Sequence, residues 1–299
     1  MTENEIVVSV CVITYGHEKY IREAIESILE QECEYDVEII ISNDSSPDLT
    51  DAIVQSIIKE NSSNHKIRYF QHEKNLGMMQ NFLFALEQCS GSYIALLEGD
   101  DYWTDQRKIQ KQIDALESNP SVSMCFHRTD DLLQNGKVVV SPSTCHQEDV
   151  RFFTLEEIAR GNFIHTPSAI FRKKFLPVPE KLTASPIGDY PLWLHLAACG
   201  SLLYLPECMA YYREGVGVWS GAKKTDRILQ WCFTLFLCID YFKDVSIQDS
   251  LRKQLQEAKV QLANASFEEL ARTKKDLSLN VPLKILVKSV LQGLLRKLK

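Results

Sequence analysis

Four short apolar runs alternate with stretches of helical spacing over the first hundred residues, and this alternation restricts the possible folds more than any other feature. Ile6 to Ile13 is almost continuously apolar and β-branched. Thr14-Tyr15-Gly16-His17 follows, and then Ile21, Ala24, Ile25, Ile28 and Leu29 fall on one helical stripe. Val37 to Ile41 repeats the strand signal, Asn43-Asp44-Ser45-Ser46-Pro47-Asp48 is a turn cluster, and Thr50 to Ile58 reads as a second helix. Lys66 to Phe70, Met78 to Cys89 and Tyr93 to Leu97 continue the series as strand, helix, strand. Strands that are apolar on both faces and separated by helices predict an α/β fold with a mixed, mostly parallel sheet flanked by helices. Such sheets bind ligands beyond the carboxyl ends of their strands, which gathers the loops at Thr14, Asp44 and Asp100 on one edge.

The fourth apolar run ends in Glu98-Gly99-Asp100-Asp101, where a buried strand delivers three acids to a turn. Clustered carboxylates suit a hard cation such as Mg²⁺ or Mn²⁺, which takes one or two protein oxygens and shares phosphate oxygens. Gly-Asp is also ordinary turn chemistry, and an Asp after a turn often caps a helix.

Further along, Ile109, Ile113 and Leu116 predict a helix ending near Asn119-Pro120, and Val122 to Phe126 a strand. Gly136 to Val150 reads as a hairpin or irregular excursion, Phe152 to Arg160 as a helix and Ser168 to Phe171 as a short strand. Tyr190 to Cys199 is a helix stopped by Gly200, and two short strands follow at Leu202 to Leu205 and Met209 to Tyr212. Beyond Gly221 the chain turns helical. The organisation expected is one α/β domain over 1–221, in halves of about 1–110 and 111–221. A helical extension then covers 222–299.

A net charge of −7 argues against broad nucleic-acid binding. Nine dispersed cysteines without a C-x-x-C pair read as reduced thiols, and the acidic, polar start is unlike a signal peptide. No run is long enough to span a bilayer, so a cytoplasmic location is expected. The last residues, 283–299, form a basic amphipathic pattern: Leu283, Leu286, Val287, Val290, Leu291, Leu294 and Leu298 share one face, with Lys284, Lys288, Arg296 and Lys299 mostly opposite. That pattern fits peripheral contact with the inner face of an anionic membrane, or packing on the first domain or on a second subunit of a homo-oligomer.

Four pieces of the chain together resemble the family 2 glycosyltransferases of GT-A fold, over about residues 6 to 221. Val8-Ser9-Val10-Cys11-Val12-Ile13-Thr14-Tyr15 is similar to that family's opening strand and nucleotide-base loop, and Ile39-Ile40-Ile41-Ser42-Asn43-Asp44 to its second strand and acidic turn. Glu98-Gly99-Asp100-Asp101 stands where the family carries its D-x-D-type motif, and Gly188-Asp189 resembles the site of its catalytic base. The resemblance implies a metal-dependent, inverting transfer of a hexosyl or N-acetylhexosaminyl group from a nucleotide sugar. The donor expected is a UDP-sugar, and the acceptor a hydroxyl of a glycan or lipid-linked saccharide in surface polysaccharide synthesis.

By that resemblance Asp189 is the base, Asp100 and Asp101 are the ligands of Mn²⁺ or Mg²⁺, and Thr14, Tyr15 and Asp44 hold the nucleotide base. Glu98 stands near the ribose, and Glu18 and Asn75-Leu76-Gly77 line the donor pocket. Asp189 reads equally as an N-cap, and Asp44 as an Asx-turn with Ser46. The pattern is departed from at Glu98 (usually Asp), Asn43 (often an acid), Gln80 (near a frequent Arg) and Tyr212-Arg213-Glu214-Gly215, which lacks a following His. Trp219, within Gly215 to Gly221, reads either as a lid over the donor or as a connector. His17, His72, His127, His165 and His195 have no metal-ligand spacing, and His195 reads as a core residue. Two rivals remain. A dinucleotide-dependent oxidoreductase would need a G-x-G-x-x-G turn where only Gly16 stands, and a non-catalytic nucleotide-sugar-binding module would bind a donor without consuming it.

Overall fold

The computed structural model describes residues 8–217 and 219–276, in two compact units, 1–221 and 222–299. In the first unit the β-branched run becomes β1 (Val8–Thr14), buried along nearly its whole length, because neighbours cover it on both sides and both faces. It is followed by α1 (Ile21–Leu29), β2 (Val37–Asn43), α2 (Thr50–Glu60), β3 (Lys66–Gln71), α3 (Met78–Gln88) and β4 (Tyr93–Glu98). β1 lies parallel to both β2 and β4, and β3 extends the sheet parallel to β2. α1 presses Ile21, Ala24, Ile25 and Ile28 onto this sheet, joining Val8, Val10, Val12, Ile39 and Ile41 in one core. Burying a Val, Leu or Ile side chain of this kind contributes about 1.5–3 kcal/mol.

The remainder of the unit adds β5 (Tyr102–Trp103), α4 (Lys108–Glu117), β6 (Val122–Leu132), β7 (Val138–Val140), β8 (Arg151–Phe153), α5 (Leu155–Ile158), β9 (Ile170–Arg172), α6 (Glu180–Thr183), α7 (Asp189–Cys199) and β10 (Ser201–Arg213). The sheet order is β3-β2-β1-β4-β9-β6-β10-β5, with β7 on β6 and β8 on β10. β9 runs antiparallel to β4 and β6, and thereby joins two parallel halves, β3-β2-β1-β4 and β6-β10.

Two local readings are corrected. The predicted helix over Phe152 to Arg160 is a short strand followed by a single helical turn. Thr154 and Glu157 form a reciprocal capping box that starts the helix only at Leu155, while Arg151 to Phe153 pair with Leu202 to Tyr204. The two short strands predicted between Leu202 and Tyr212 are one strand, β10, carried through bulges. From Leu205 to Ala210, five steps along β10 accompany two along β6, and Pro206, which has no N–H to donate, sits where the ladder is already broken.

At the start of α4 the Lys108 side chain is fully buried. Its Nζ lies 4.1 Å from the centre of the Trp103 ring and has no hydrogen-bond partner.

The second unit contains α8 (Lys224–Tyr241) and α9 (Val245–Asp276). They pair antiparallel around Ile228, Cys232, Ala258, Leu262 and Ala265, with Thr225 Oγ1 donating to Glu269 Oε1 at 3.0 Å. Among the described residues no helix is long and apolar enough to cross a membrane. The basic amphipathic stretch 283–299 lies outside the described residues.

Candidate active site

The acid-bearing turn docks against the first loop because residue 99 is glycine. A Cβ there would sit 2.6 Å from Thr14 Oγ1 and 2.8 Å from His17 Nδ1, so a larger residue would push the two loops apart. The Gly99 N–H donates to Ile13 O at 2.9 Å, and the Asp101 N–H closes the turn onto Glu98 O at 3.1 Å. Thr14 Oγ1 pairs with His17 Nδ1 at 3.1 Å, and His17 Nε2 stands 3.8 Å from Asp100 Oδ1. His17, which has no ligand spacing in the sequence, therefore sits directly beside the acid cluster.

Asp100 and Asp101 are buried. Asp101 Oδ1 accepts the Arg213 N–H at 2.8 Å, whereas its buried Oδ2 has no partner. Burial, together with the charges of Asp100 and Asp189, pushes the Glu98 carboxyl up to about 8. Burial and the charges of Asp100 and Glu98 hold Asp101 well above the carboxylate range. Like charges crowded in a poorly solvated place favour protonation or a bound cation. No group of three or more His, Cys, Asp or Glu among the described residues forms a complete ligand set; one or two carboxylates supplemented by ligand phosphate oxygens is the usual arrangement for Mg²⁺.

Asp189 begins α7, and Gly188 rather than Asp189 takes the N-cap position. Its Oδ1 accepts the Tyr190 N–H at 2.6 Å, and its Oδ2 accepts from Asn162 Nδ2 at 3.1 Å. Each oxygen keeps a free lone pair. Burial raises its pKa, and the two hydrogen bonds oppose that rise. The charge of Asp189 acts on Glu98, so the acids at the end of β4 and the acid at the start of α7 share one cluster.

Asp44 is bound into the opposite side of the site. Its Oδ1 accepts the Leu76 N–H at 2.6 Å and its Oδ2 the Gly77 N–H at 3.0 Å, while its own N–H donates to Thr14 O at 3.0 Å. The Asx-turn with Ser46 belongs to Asn43 instead, whose Oδ1 accepts the Ser46 N–H at 3.0 Å. Glu18 closes the same wall from the first loop. Its Oε2 accepts the Leu49 N–H at 3.1 Å, and its N–H donates to Asp48 Oδ2 at 3.0 Å. Tyr15 is exposed beside it.

The loop after β10 approaches the acids closely. A Cβ at Gly217 would lie 2.5 Å from Asp100 Oδ2, and Gly221 N–H donates to Gly217 O at 2.8 Å, so the loop folds back over Asp100. Trp219 is exposed on this loop. The Arg213 guanidinium is committed elsewhere, paired with Glu23 and lying over the rings of Tyr20 and Tyr102. Glu214 is exposed, and its charge bears on Asp131. His195 bonds Phe175 O at 2.8 Å, away from the acids.

Two aromatic residues escape any reading of spacing. The Tyr212 ring packs against the His165 ring with centroids 4.5 Å apart, and His165 is held by Thr129 Oγ1 and Ser143 Oγ, each at 3.0 Å. Burial pushes His165 down to about 4, so it is neutral at physiological pH. Tyr212 stands next to Arg213, whose N–H Asp101 holds. Burial and the charges of Glu98, Asp101, Asp100 and Asp189 raise its phenol, which stays protonated.

The model of the family described as "Glycosyl transferase family 2" matches residues 9–175. An uncharacterized protein of Mycobacterium tuberculosis strain H37Rv is 34% identical over 233 residues, 75% of this chain and 63% of that protein, so the chain spans under two thirds of that relative's length. The putative teichuronic acid biosynthesis glycosyltransferase TuaG of Bacillus subtilis is 25% identical over 257 residues, 79% of this chain and 96% of that protein. Among solved structures, S. aureus TarS 1-349 in complex with UDP-GlcNAc superposes with a TM-score of 0.63 at 18% identity, covering 88% of this chain and 80% of that one. The mannosyltransferase PcManGT from Pyrobaculum calidifontis, in complex with GDP-Man and Mn2+, gives a TM-score of 0.64 at 15% identity, covering 97% and 81%. The mixed sheet with its acid-ended fourth strand is thus the GT-A arrangement, and the chain belongs to glycosyl transferase family 2.

Proposed function

We propose that the chain is a metal-dependent, inverting glycosyltransferase that moves a sugar from a UDP-sugar to a hydroxyl of a glycan or lipid-linked acceptor. One observation carries this reading: the turn after β4 buries Asp100 and Asp101 together and leaves Asp101 Oδ2 without a partner, and the charge of Asp189 reaching Glu98 supports a shared site for diphosphate and proton removal. The surface-polysaccharide assignment is supported by the likeness to TuaG, and the UDP assignment by the likeness to TarS. A dinucleotide-dependent oxidoreductase does not fit a chain of this family.

The residues fit a divalent ion. Asp101 Oδ2 is buried without a partner, and the like charges around it are the kind that a cation relieves. Asp100 and Asp101 would hold Mn²⁺ or Mg²⁺, which supplies Lewis-acid stabilisation of the departing diphosphate. Thr14, Tyr15 and Asp44 form the wall for the nucleotide base. Asp44, whose oxygens clip Leu76 and Gly77, both shapes that wall and retains lone pairs for an imide N–H. Asp189 takes the proton of the acceptor hydroxyl as it attacks the anomeric carbon, with Tyr190 N–H and Asn162 fixing the carboxylate. Its raised pKa brings it nearer the working pH, where a general base is most effective. Trp219 closes over the donor from the loop that covers Asp100.

The test is a panel of UDP, UDP-glucose, UDP-galactose, UDP-N-acetylglucosamine and GDP-mannose, with and without Mn²⁺, read by thermal shift and by slow donor hydrolysis. At least one sugar nucleotide with Mn²⁺ is expected to raise the melting temperature and to be hydrolysed. A concentration a hundredfold above Kd stabilises by about 2.7 kcal/mol. No shift with any nucleotide defeats the proposal, and a shift without any donor consumption makes the protein a binding module instead.

Gly217→Ala tests the Asp100 assignment. The new methyl would land 2.5 Å from Asp100 Oδ2, so the loop or the carboxylate must move. UDP binding in Mn²⁺ is expected to weaken about tenfold, while the free protein melts within about 2 °C of wild type. Calorimetric titration of UDP at fixed Mn²⁺ reads the first, and Asp100→Asn is titrated beside it: unchanged affinity in Gly217→Ala means that the loop has yielded, and unchanged affinity in Asp100→Asn removes Asp100 from the metal site.

A further inference from the structure

Resting on the transferase reading, we propose that Tyr212 is the residue that holds the transferred sugar, its hydroxyl donating a hydrogen bond to a sugar hydroxyl, and that His165 is the positioning residue that fixes its ring. The sheet order provides the geometry. The base-holding wall lies on β1 and β2, the acids at the end of β4, and Tyr212 on β10, across β9 and β6 from β4. A donor with its nucleotide at Thr14 and Asp44 and its diphosphate at Asp100 therefore extends its sugar toward Tyr212.

The ring cannot wander. It packs on His165 at 4.5 Å between centroids, and both ring nitrogens of His165 are engaged, by Thr129 and Ser143 at 3.0 Å each. The neighbouring backbone is pinned as well, because the Arg213 N–H is donated to Asp101. The Tyr212 hydroxyl itself has no hydrogen-bond partner among the described residues.

The chemistry separates a sugar from the other parts of the ligand. A neutral O–H among acids does not draw in a diphosphate, whose charge those acids repel unless a cation intervenes. A sugar hydroxyl suits it, since it accepts from the phenol and donates to a neighbouring carboxylate. The attacking oxygen of the acceptor is a poorer partner, because a hydrogen bond donated to it would draw electron density from the nucleophile.

The experiment compares each nucleotide with its sugar nucleotide by calorimetry in Mn²⁺, using UDP against the UDP-sugar that shifts the wild type most, or GDP against GDP-mannose. Tyr212→Phe keeps the ring and removes one oxygen. It is expected to leave the affinity for the bare nucleotide within about twofold and to weaken the sugar nucleotide about fivefold to tenfold, the worth of one neutral hydrogen bond. His165→Ala is expected to show the same split, and His165→Phe, which restores a ring under Tyr212, to recover most of the lost affinity. Equal loss for both ligands, or no loss for the sugar nucleotide, overturns the proposal for Tyr212, and absence of rescue by His165→Phe overturns the positioning role. If the wild type binds no nucleotide of the panel, the transferase reading has failed first and this proposal falls with it.

Discussion

Asp189→Asn is expected to abolish sugar transfer, by about 10²–10⁴-fold in kcat, and to leave UDP affinity in Mn²⁺ within about twofold of wild type. The amide is nearly isosteric, and its Oδ1 can still accept the Tyr190 N–H that now fixes the carboxylate at 2.6 Å. The turn at Gly188 and the start of α7 therefore have no reason to move. What disappears is the capacity to take a proton, together with the bond from Asn162 Nδ2, which then faces the new amide NH2. The same exchange also removes a negative charge that helps to raise Glu98, so Glu98 becomes easier to ionise, and nucleotide binding with a cation is not weakened. Donor hydrolysis followed alongside calorimetric UDP binding separates the two effects. A variant that turns over at the wild-type rate removes Asp189 from the mechanism, and one that loses both activities marks it as structural.

Lys108→Met is expected to stabilise the protein, raising its melting temperature by about 5–10 °C at neutral pH. Burial moves the lysine from 10.5 down to about 7, against smaller opposing effects from Cys125 and Asp105, and no hydrogen bond compensates the ammonium. A difference of that size corresponds to roughly 5 kcal/mol, part of which the cation–π contact with Trp103, worth about 2 kcal/mol when desolvated, returns. The sign follows from proton counting. Between pH 7 and 10.5 the unfolded chain holds a proton at Lys108 that the folded chain releases, so the stability of the wild type rises with pH across this window. Methionine, of similar length and without charge, therefore gains most at pH 7 and below, and its advantage vanishes near 10.5. Melting curves of both proteins from pH 6 to 10.5 measure this. A variant less stable at every pH would show that the contact with Trp103 outweighs the cost of burial.

The parallel half of the sheet was legible because its strands carry continuous β-branched runs, a pattern that survives without tertiary information. The second half was less so. Phe152 to Arg160 carries enough apolar residues to imitate a helix, and only the pairing of Arg151 to Phe153 with β10 selects the extended form. β10 read as two strands because its bulged centre, Pro206 and Glu207, interrupts the alternation that marks a strand. In the site, carboxylates at strand and helix ends, Asp44, Asp100 and Asp189, could be picked out because acids at such positions are chemically conspicuous. His17, Asn162, His165 and Tyr212 could not. Their significance lies in contacts between residues far apart in sequence, such as the stacking of His165 on Tyr212, and a single histidine or asparagine carries no periodic signal.

The uneven ladder between β6 and β10 has a consequence for how this protein can change. Side chains of a strand alternate in direction, so the odd surplus of residues that β10 carries past β6 works as a phase setting for everything downstream. With the present setting Tyr212 is level with Asp131, and Arg213 with Leu132. Loss of one residue around Pro206 would bring the Arg213 guanidinium to the place of the phenol and carry the phenol back to the place of Tyr211, against Tyr102. A single-codon deletion about 20 Å up the strand, at roughly 3.3 Å per residue, would thereby invert the polarity of the pocket wall without substituting any residue near it.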